Sequence, residues 1–168
     1  MVEEISNEKA KDSTCLYTPD LVFFDFEADN HVDLFEKLSV IMLKKGYVKE
    51  SWLKAITDRE REFPTGLMFD SIGVAIPHVD PQHIVKPYIA IIKPKTTVSF
   101  EPMADMVDHA IDTNLVVNLG LLKHAEDQVE VLQSMMAMFM NDVAVKDIQS
   151  QTTPEGMVAC FRRYANVE

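Results

Sequence analysis

A histidine follows a proline at the end of the apolar run "GVAIPHVD", residues 73–80, in a chain with five histidines. Pro77 has no N–H and a fixed φ, so the chain is expected to leave the sheet there and to present His78 at the carboxyl end of a strand. A neutral imidazole can take a phosphoryl group on one ring nitrogen while an acceptor holds the proton on the other. A purely structural histidine is the alternative, and the residues alone leave both interpretations open.

An arginine lies on the inward face of the helix predicted before this strand. Trp52, Ile56 and Arg59 are spaced i, i+4 and i+7, so Arg59 shares the apolar stripe, whereas Arg61 is rotated away from it. A guanidinium on an inward face needs an anion. That anion is either a carboxylate in a structural ion pair or a bound phosphoryl group.

The turn "FPTGL" follows this helix and contains Thr65 and Gly66. A hydroxyl and unhindered backbone N–H groups in a tight turn are typical of oxyanion or phosphate sites. A presented histidine, a cation and small donors together meet the needs of phosphoryl transfer.

A metal site is the competing interpretation of the same loop. His78, Asp80 and His83 lie close together in sequence, but neither a helical i, i+4 pair nor a further cysteine accompanies them. No metal and no cofactor are therefore predicted.

The elements that position these residues alternate between strands and helices. The first helix is predicted to start at a cap, Asp29 or Asn30, and to end at Gly46. Strands mixed with flanking helices indicate one α/β domain at residues 21–168, preceded by a flexible extension at residues 1–20. Strands are predicted at residues 21–27, 71–76, 88–93, 96–100 and 114–122, and further helices at residues 51–61, 126–140 and 154–164.

Composition restricts the partners and the compartment. The chain has 168 residues, a formal charge of −11 and 47% apolar content. The negative charge opposes nucleic acids and anionic membrane surfaces. Charges interrupt every apolar run before it could span a bilayer, and two cysteines without a framework suit a reducing compartment. A soluble, cytoplasmic protein that binds proteins or neutral small molecules is expected.

The paired motifs "REREFPTGL" and "GVAIPH" resemble the signature of the enzyme IIA domains of the bacterial phosphoenolpyruvate-dependent sugar phosphotransferase system, fructose and mannitol superfamily. The resemblance runs from about residue 21 to the end, and "FPTGL" with Gln128 is most similar to the galactitol-type branch. It implies a single α/β domain with a mixed sheet and helices on both sides.

The same resemblance implies a function and partners. His78 would receive a phosphoryl group from the histidine-containing phosphocarrier protein and pass it to a cysteine of enzyme IIB, with only an indirect link to the membrane enzyme IIC. Arg59 would steady the phosphoryl group, and Thr65 would line the pocket. The sugar, galactitol or a related polyol, would never contact this chain.

Gln128 stands where many relatives have a second histidine. If its helix begins near Ala125, the amide lies on the apolar stripe and bonds a backbone group, the ring of His78 or the phosphoryl oxygens. His124 would share that face if the helix began earlier.

Two other classes of function compete with the phosphoryl carrier. One is a regulatory relative that binds other proteins according to its phosphorylation state. The other is a binding module in which His78 is inert.

Overall fold

The computed structural model describes residues 16–122 and 125–165, with side chains described from residue 129 onward in the second range. The strands in these ranges are β1 (Tyr17–Phe26), β2 (Gly66–Met68), β3 (Gly73–Ala75), β4 (Tyr88–Pro94), β5 (Val98–Phe100), β6 (Ile111–Thr113) and β7 (Leu115–Gly120). The order β1-β4-β7-β3-β2 forms a five-stranded sheet, and β5 pairs with β6 separately.

The central sheet is mixed. Strands β1 and β4 run parallel, as do β3 and β7, whereas β4 is antiparallel to β7 and β2 is antiparallel to β3. Parallel neighbours cannot be joined by a tight hairpin, and residues 27–87 connect β1 to β4 while residues 76–114 connect β3 to β7.

The helices are α1 (His31–Lys45), α2 (Trp52–Glu62), α3 (Ala125–Phe139), α4 (Asp142–Ser150) and α5 (Pro154–Tyr164). Helix α1 begins where Asn30 Oδ1 accepts a 2.8 Å hydrogen bond from the N–H of Asp33. It ends at Gly46, whose φ of 80° is a left-handed conformation that glycine adopts without strain. The cap at Asn30 and the end at Gly46 agree with the sequence.

Helices cover both faces of the sheet, which confirms the predicted fold class. Successive residues of β4 point to opposite faces: Ile89 and Ile91 pack in the core beneath α3, α4 and α5, whereas Ala90 and Ile92 pack in the core beneath α1 and α2. A strand buried on both faces is usually a near-continuous apolar run, as "YIAII" is.

The structure differs from the predicted elements in four places. Strand β1 begins at Tyr17 rather than at residue 21 and so takes in the last residues of the predicted extension, whose residues 1–15 lie outside the described residues. Tyr17 is fixed by a residue that is far away in the sequence: its hydroxyl donates a hydrogen bond to the carbonyl of Ala165 at 3.2 Å. Strand β2 begins at Gly66, inside the predicted turn "FPTGL", and neither β6 nor α4 was expected.

None of the helices in the described ranges has the length and apolarity needed to cross a membrane.

Candidate functional site

His78 lies just past the carboxyl end of β3, beside the end of β7. The Pro77 carbonyl accepts a hydrogen bond from the Leu119 N–H at 3.2 Å, and His78 forms an isolated parallel bridge with Leu119. The side chain is partly exposed, while Pro77 and Val79 on either side of it are buried. The expected presentation of His78 at a strand end is therefore what the structure shows.

The hydrogen bonds of His78 define its tautomer. Its Nδ1 lies 2.9 Å from the carbonyl oxygen of Ile76. A carbonyl can only accept, so Nδ1 carries the proton and the lone pair of the neutral ring lies on Nε2. Burial lowers the pKa of His78 and the nearby Arg59 lowers it further, although the Ile76 carbonyl and Asp80 act in the opposite direction. The ring is thus kept neutral, which is the form that can act as a nucleophile.

Arg59 extends from α2 towards this imidazole. Its Nη2 lies 3.4 Å from His78 Nε2, and its Nη1 lies 3.5 Å from Asp80 Oδ1. The guanidinium also lies over the ring of Phe63, 5.6 Å from the centroid. The Asp80 carboxylate is 69% exposed, and exposed ion pairs contribute little stability. The sequence allowed either a structural ion pair or a phosphoryl group as the partner of Arg59. The structure shows an ion pair, with Asp80, and it holds the guanidinium beside His78.

Thr65 has a different neighbour from the one expected. Its N–H donates to Glu60 Oε1 at 2.8 Å, and its hydroxyl lies 2.9 and 3.0 Å from the two oxygens of the same carboxylate. The N–H of Gly66 is also engaged, by the carbonyl of Glu101 at 3.0 Å. Among the hydrogen bonds of the described residues none joins Thr65 to His78 or Arg59, so a direct role of Thr65 in a phosphoryl pocket stays a prediction.

Glu60 is a buried carboxylate next to Arg59 that the sequence did not single out. It is only 5% exposed, and burial raises its pKa to about 7 even though Thr65 donates two hydrogen bonds and Arg59 is adjacent. The signal was present in the sequence, because Glu60 continues the row Trp52, Ile56 at i+8 and these three are the buried residues of α2. Glu60 anchors the turn after α2 to the helix that carries Arg59.

The other predicted residues are distributed as follows. His124 and the side chain of Gln128 lie outside the described residues, so their predicted roles and the predicted start of this helix stay predictions; α3 is described from Ala125 onward. His83 Nδ1 is 2.8 Å from the hydroxyl of Ser51. Within residues 16–122 and 125–165 no group of three or more His, Cys, Asp or Glu side chains is placed to hold a metal ion.

The methionines divide between core and surface. Met135 and Met138 are buried, as predicted for core packing, whereas Met140 is 72% exposed. Met140 lines a cavity of about 360 Å³ next to β2, together with Met68 and Met106.

Phe63, which lies under the guanidinium of Arg59, is 62% exposed and adds apolar surface beside the site.

Residues 16–164 match the family described as "Phosphoenolpyruvate-dependent sugar phosphotransferase system, EIIA 2". A single α/β domain that presents a neutral histidine beside an arginine is consistent with that class, and the chain belongs to this family. It is accordingly a phosphotransferase component, an EIIA-type phosphoryl carrier of sugar or polyol transport.

Similar proteins with curated descriptions include the galactitol-specific EIIA component of Escherichia coli K12. It is 34% identical over 105 residues, which cover 61% of this chain and 68% of that protein. The same component from Escherichia coli O157:H7 is equally similar. The predicted resemblance to the galactitol-type branch is confirmed.

Solved structures share the fold at low sequence identity. The IIA mannitol protein of Escherichia coli has a TM-score of 0.66 and 18% identity, covering 85% of this chain and 96% of that one. In the complex of Escherichia coli IIA mannitol with phosphorylated IIB mannitol, the matching chain has a TM-score of 0.67 and 19% identity, covering 86% of this chain and 95% of that one.

Proposed function

We propose that His78 accepts a phosphoryl group on Nε2 from the histidine-containing phosphocarrier protein and passes it to a cysteine of enzyme IIB. The observation that carries this proposal is the tautomer of His78. Its Nδ1 proton is engaged by the Ile76 carbonyl, and its Nε2 lone pair lies 3.4 Å from a guanidinium nitrogen. Both partners act in the cytoplasm, and the membrane enzyme IIC is reached only through IIB.

The transfer into His78 needs no proton to leave the ring. The Nε2 lone pair attacks phosphorus, the P–N bond of the donor phosphohistidine breaks, and its electron pair returns to the donor ring. Because Nδ1 keeps its proton, the phosphorylated ring is formally cationic, and the Ile76 carbonyl faces that charge. A cationic ring is a good leaving group, so a thiolate of IIB can take the phosphoryl group while the electron pair of the P–N bond returns to Nε2.

Arg59 is proposed to hold the phosphoryl oxygens during both transfers. Its planar fork already stands beside Nε2, where negative charge arrives only with the phosphoryl group. The exposed contact with Asp80 keeps the guanidinium in place at little energetic cost before that group arrives.

Gln128 is proposed to bond the ring of His78 or the phosphoryl oxygens through its neutral amide, in the position where relatives carry a second histidine. A neutral amide adds no titration between pH 5 and 8. Gln128→His should then be tolerated and Gln128→Ala should slow transfer, whereas His124→Ala should change little. Greater damage from His124→Ala than from Gln128→Ala would make His124 the second site residue.

Galactitol or a related polyol is the proposed transported compound. The support is the similarity to galactitol-specific EIIA components over 61% of this chain. Growth on galactitol of a strain that depends on this chain for its EIIA would test the assignment, with mannitol and fructose as comparison sugars.

A regulatory role is the second candidate. Over 74 residues, 44% of this chain, it is 35% identical to the transcriptional regulator ManR of Bacillus subtilis, covering 11% of that protein. Phosphorylation would then control binding to another protein instead of supplying IIB.

Mass spectrometry after incubation with phosphoenolpyruvate and the general phosphotransferase proteins tests the carrier function. A single phosphoryl adduct at His78 is expected, labile in acid and stable in alkali as phosphoramidates are. His78→Ala should fold normally and take up no label, and His83→Ala, a histidine of the same loop, should behave as wild type. A wild-type chain without an adduct would end the carrier proposal, while an adduct that no IIB can accept would favour the regulatory role.

A further inference from the structure

A polar side chain lies in the middle of a fully buried strand behind His78. Every residue of β7 is buried, and Asn118 within it is 0% exposed. An amide in such a position must be hydrogen bonded, because an unpaired buried amide costs several times what an ordinary hydrogen bond contributes. Its partners therefore indicate what the residue does.

Asn118 connects two groups that are distant in sequence. Its Nδ2 donates to the carbonyl oxygen of Pro77 at 3.0 Å, and its Oδ1 accepts from the hydroxyl of Tyr88 at 2.6 Å. The orientation of the amide follows from chemistry, since the Pro77 carbonyl can only accept and must face the NH₂ group. The Tyr88 hydroxyl, itself 0% exposed, then has Oδ1 as its acceptor.

Tyr88 reaches Asn118 because its neighbour on β7 has no side chain. Tyr88 pairs with Gly120 across the β4–β7 ladder, two positions along from the pair of Ala90 with Asn118. A Cβ at position 120 would collide with the Tyr88 ring. The glycine therefore lets the ring lie across β7 with its hydroxyl at the amide.

The Pro77 carbonyl belongs to the peptide that leads into His78. It receives one hydrogen bond from the Leu119 backbone and one from the Asn118 side chain, so the plane of this peptide is fixed by two donors. The preceding carbonyl, that of Ile76, accepts from His78 Nδ1. A rotation of the Pro77–His78 peptide would move the ring relative to both the Ile76 carbonyl and Arg59.

We propose that Asn118 and Tyr88 are positioning residues for His78, acting through the Pro77 carbonyl to hold the imidazole with Nδ1 on the Ile76 carbonyl and Nε2 beside Arg59, where the phosphoryl group would be taken up. The expected effect on phosphoryl transfer rests on the proposed function. The expected effect on the orientation and tautomer of the His78 ring is independent of it.

The test compares Asn118→Leu, which replaces the amide by an apolar group of similar size, with Tyr88→Phe, which removes only the hydroxyl. The ¹⁵N shifts of the His78 ring, read in the unphosphorylated protein, should show a smaller fraction of the Nδ1–H tautomer in both variants. Phosphoryl uptake should fall roughly tenfold for Asn118→Leu and about threefold for Tyr88→Phe. The double variant should be no slower than Asn118→Leu, because residues acting in one chain are not additive.

Asn114→Leu is the matched control, since Asn114 bonds the Gly73 N–H at the opposite end of β3. It should leave the His78 shifts unchanged. Folded variants with wild-type ring shifts and wild-type uptake would overturn the proposal, and if Asn118→Leu does not fold, the same result for Tyr88→Phe alone would do so. If wild type takes up no phosphoryl group, the carrier function fails, and the ring shifts still decide whether Asn118 and Tyr88 position His78.

Discussion

Glu60 and Asp147 are two carboxylates that each accept hydrogen bonds from neighbouring side chains, yet their pKa values move in opposite directions. Glu60 is 5% exposed and burial raises its pKa to about 7. Asp147 has a side chain 26% exposed, and the pKa of its carboxyl is lowered, chiefly by the hydrogen bond from the Tyr164 hydroxyl. Donors alone therefore do not set the pKa; access to water decides whether they outweigh desolvation.

The arginines beside these carboxylates differ as well. Arg163 bonds Asp147 Oδ2 at 3.1 Å, so its charge is used within the cluster that joins α4 to α5. Arg59 is next to Glu60 in sequence, but its guanidinium faces His78 and Asp80. The carboxylate paired with Arg59 is more exposed and 3.5 Å away, against 26% exposed and 3.1 Å for the partner of Arg163, so Arg59 can more easily turn to an incoming anion.

The largest expected difference between the two regions is the effect of removing each arginine. Arg59→Ala should slow phosphoryl transfer on the order of 100-fold with little change in stability, because the charge it balances arrives with the phosphoryl group. Arg59→Lys should restore only part of the rate, since it lacks the planar fork. Arg163→Ala should leave transfer unchanged. Rapid-quench measurements would decide, and equal rates for all of these variants would return Arg59 to a structural role.

The next difference is the pH dependence of stability that Glu60 contributes. Its pKa rises on folding from 4.5 to about 7, so the folded state holds the proton more tightly and stability falls as pH rises through that interval. Wild type should therefore lose roughly 2 to 3 kcal/mol of stability between pH 4.5 and pH 8, whereas Glu60→Gln, which keeps an oxygen for Thr65 but does not titrate, should lose none of it. Urea unfolding at pH 4.5 and pH 8 measures this.

A Glu60→Gln variant with the same pH slope as wild type would contradict that assignment. Thr65→Val supplies a second check, because it removes the hydroxyl that donates to Glu60 but keeps the backbone N–H. It should lower stability at every pH. If Thr65→Val slows phosphoryl transfer by more than its loss of stability can explain, Thr65 acts at the phosphoryl group, as the family resemblance implies.

The titration of His78 should be a smaller but direct sign of the site. Since burial and Arg59 lower its pKa, the ring should stay neutral as pH falls through 6.5 and take up a proton only below it. In Arg59→Ala the protonation should move to higher pH, and in Arg163→Ala it should not move. Ring ¹H and ¹⁵N shifts recorded against pH give both values. An unmoved His78 titration in Arg59→Ala would show that the guanidinium is not beside the ring in solution.

The smallest expected effect concerns Asp147. Its lowered pKa contributes stability that is present above 3.8 and is lost as pH falls through the value in the folded protein. Asp147→Asn should therefore have a slightly lower melting temperature than wild type at pH 7 and the same melting temperature in strong acid. Its rate of phosphoryl transfer should be unchanged. Thermal unfolding from pH 2 to 7 tests the slope, and a loss of transfer would mean that this cluster is coupled to the site.

Local patterns in the sequence determined much of the protein. The proline before His78 indicated its presentation, the spacing from Trp52 placed Arg59 on an inward stripe, and Asn30 with Gly46 bounded α1. These features depend on periodicity, capping and fixed φ, which operate within a few residues. The sequence therefore predicted the α/β class and the pair His78 and Arg59.

Only the tertiary structure decided which distant groups meet. Asn118 and Pro77 are 41 residues apart, and Tyr17 and Ala165 are 148 apart, so no local pattern links them. The sequence allowed the hydroxyl of Thr65 to face a bound phosphoryl group. In the folded protein the packing of α2 buries Glu60 beside Thr65, and the hydroxyl donates to that carboxylate. Buried polar groups must find partners wherever the folded chain supplies them, and that depends on how the elements pack.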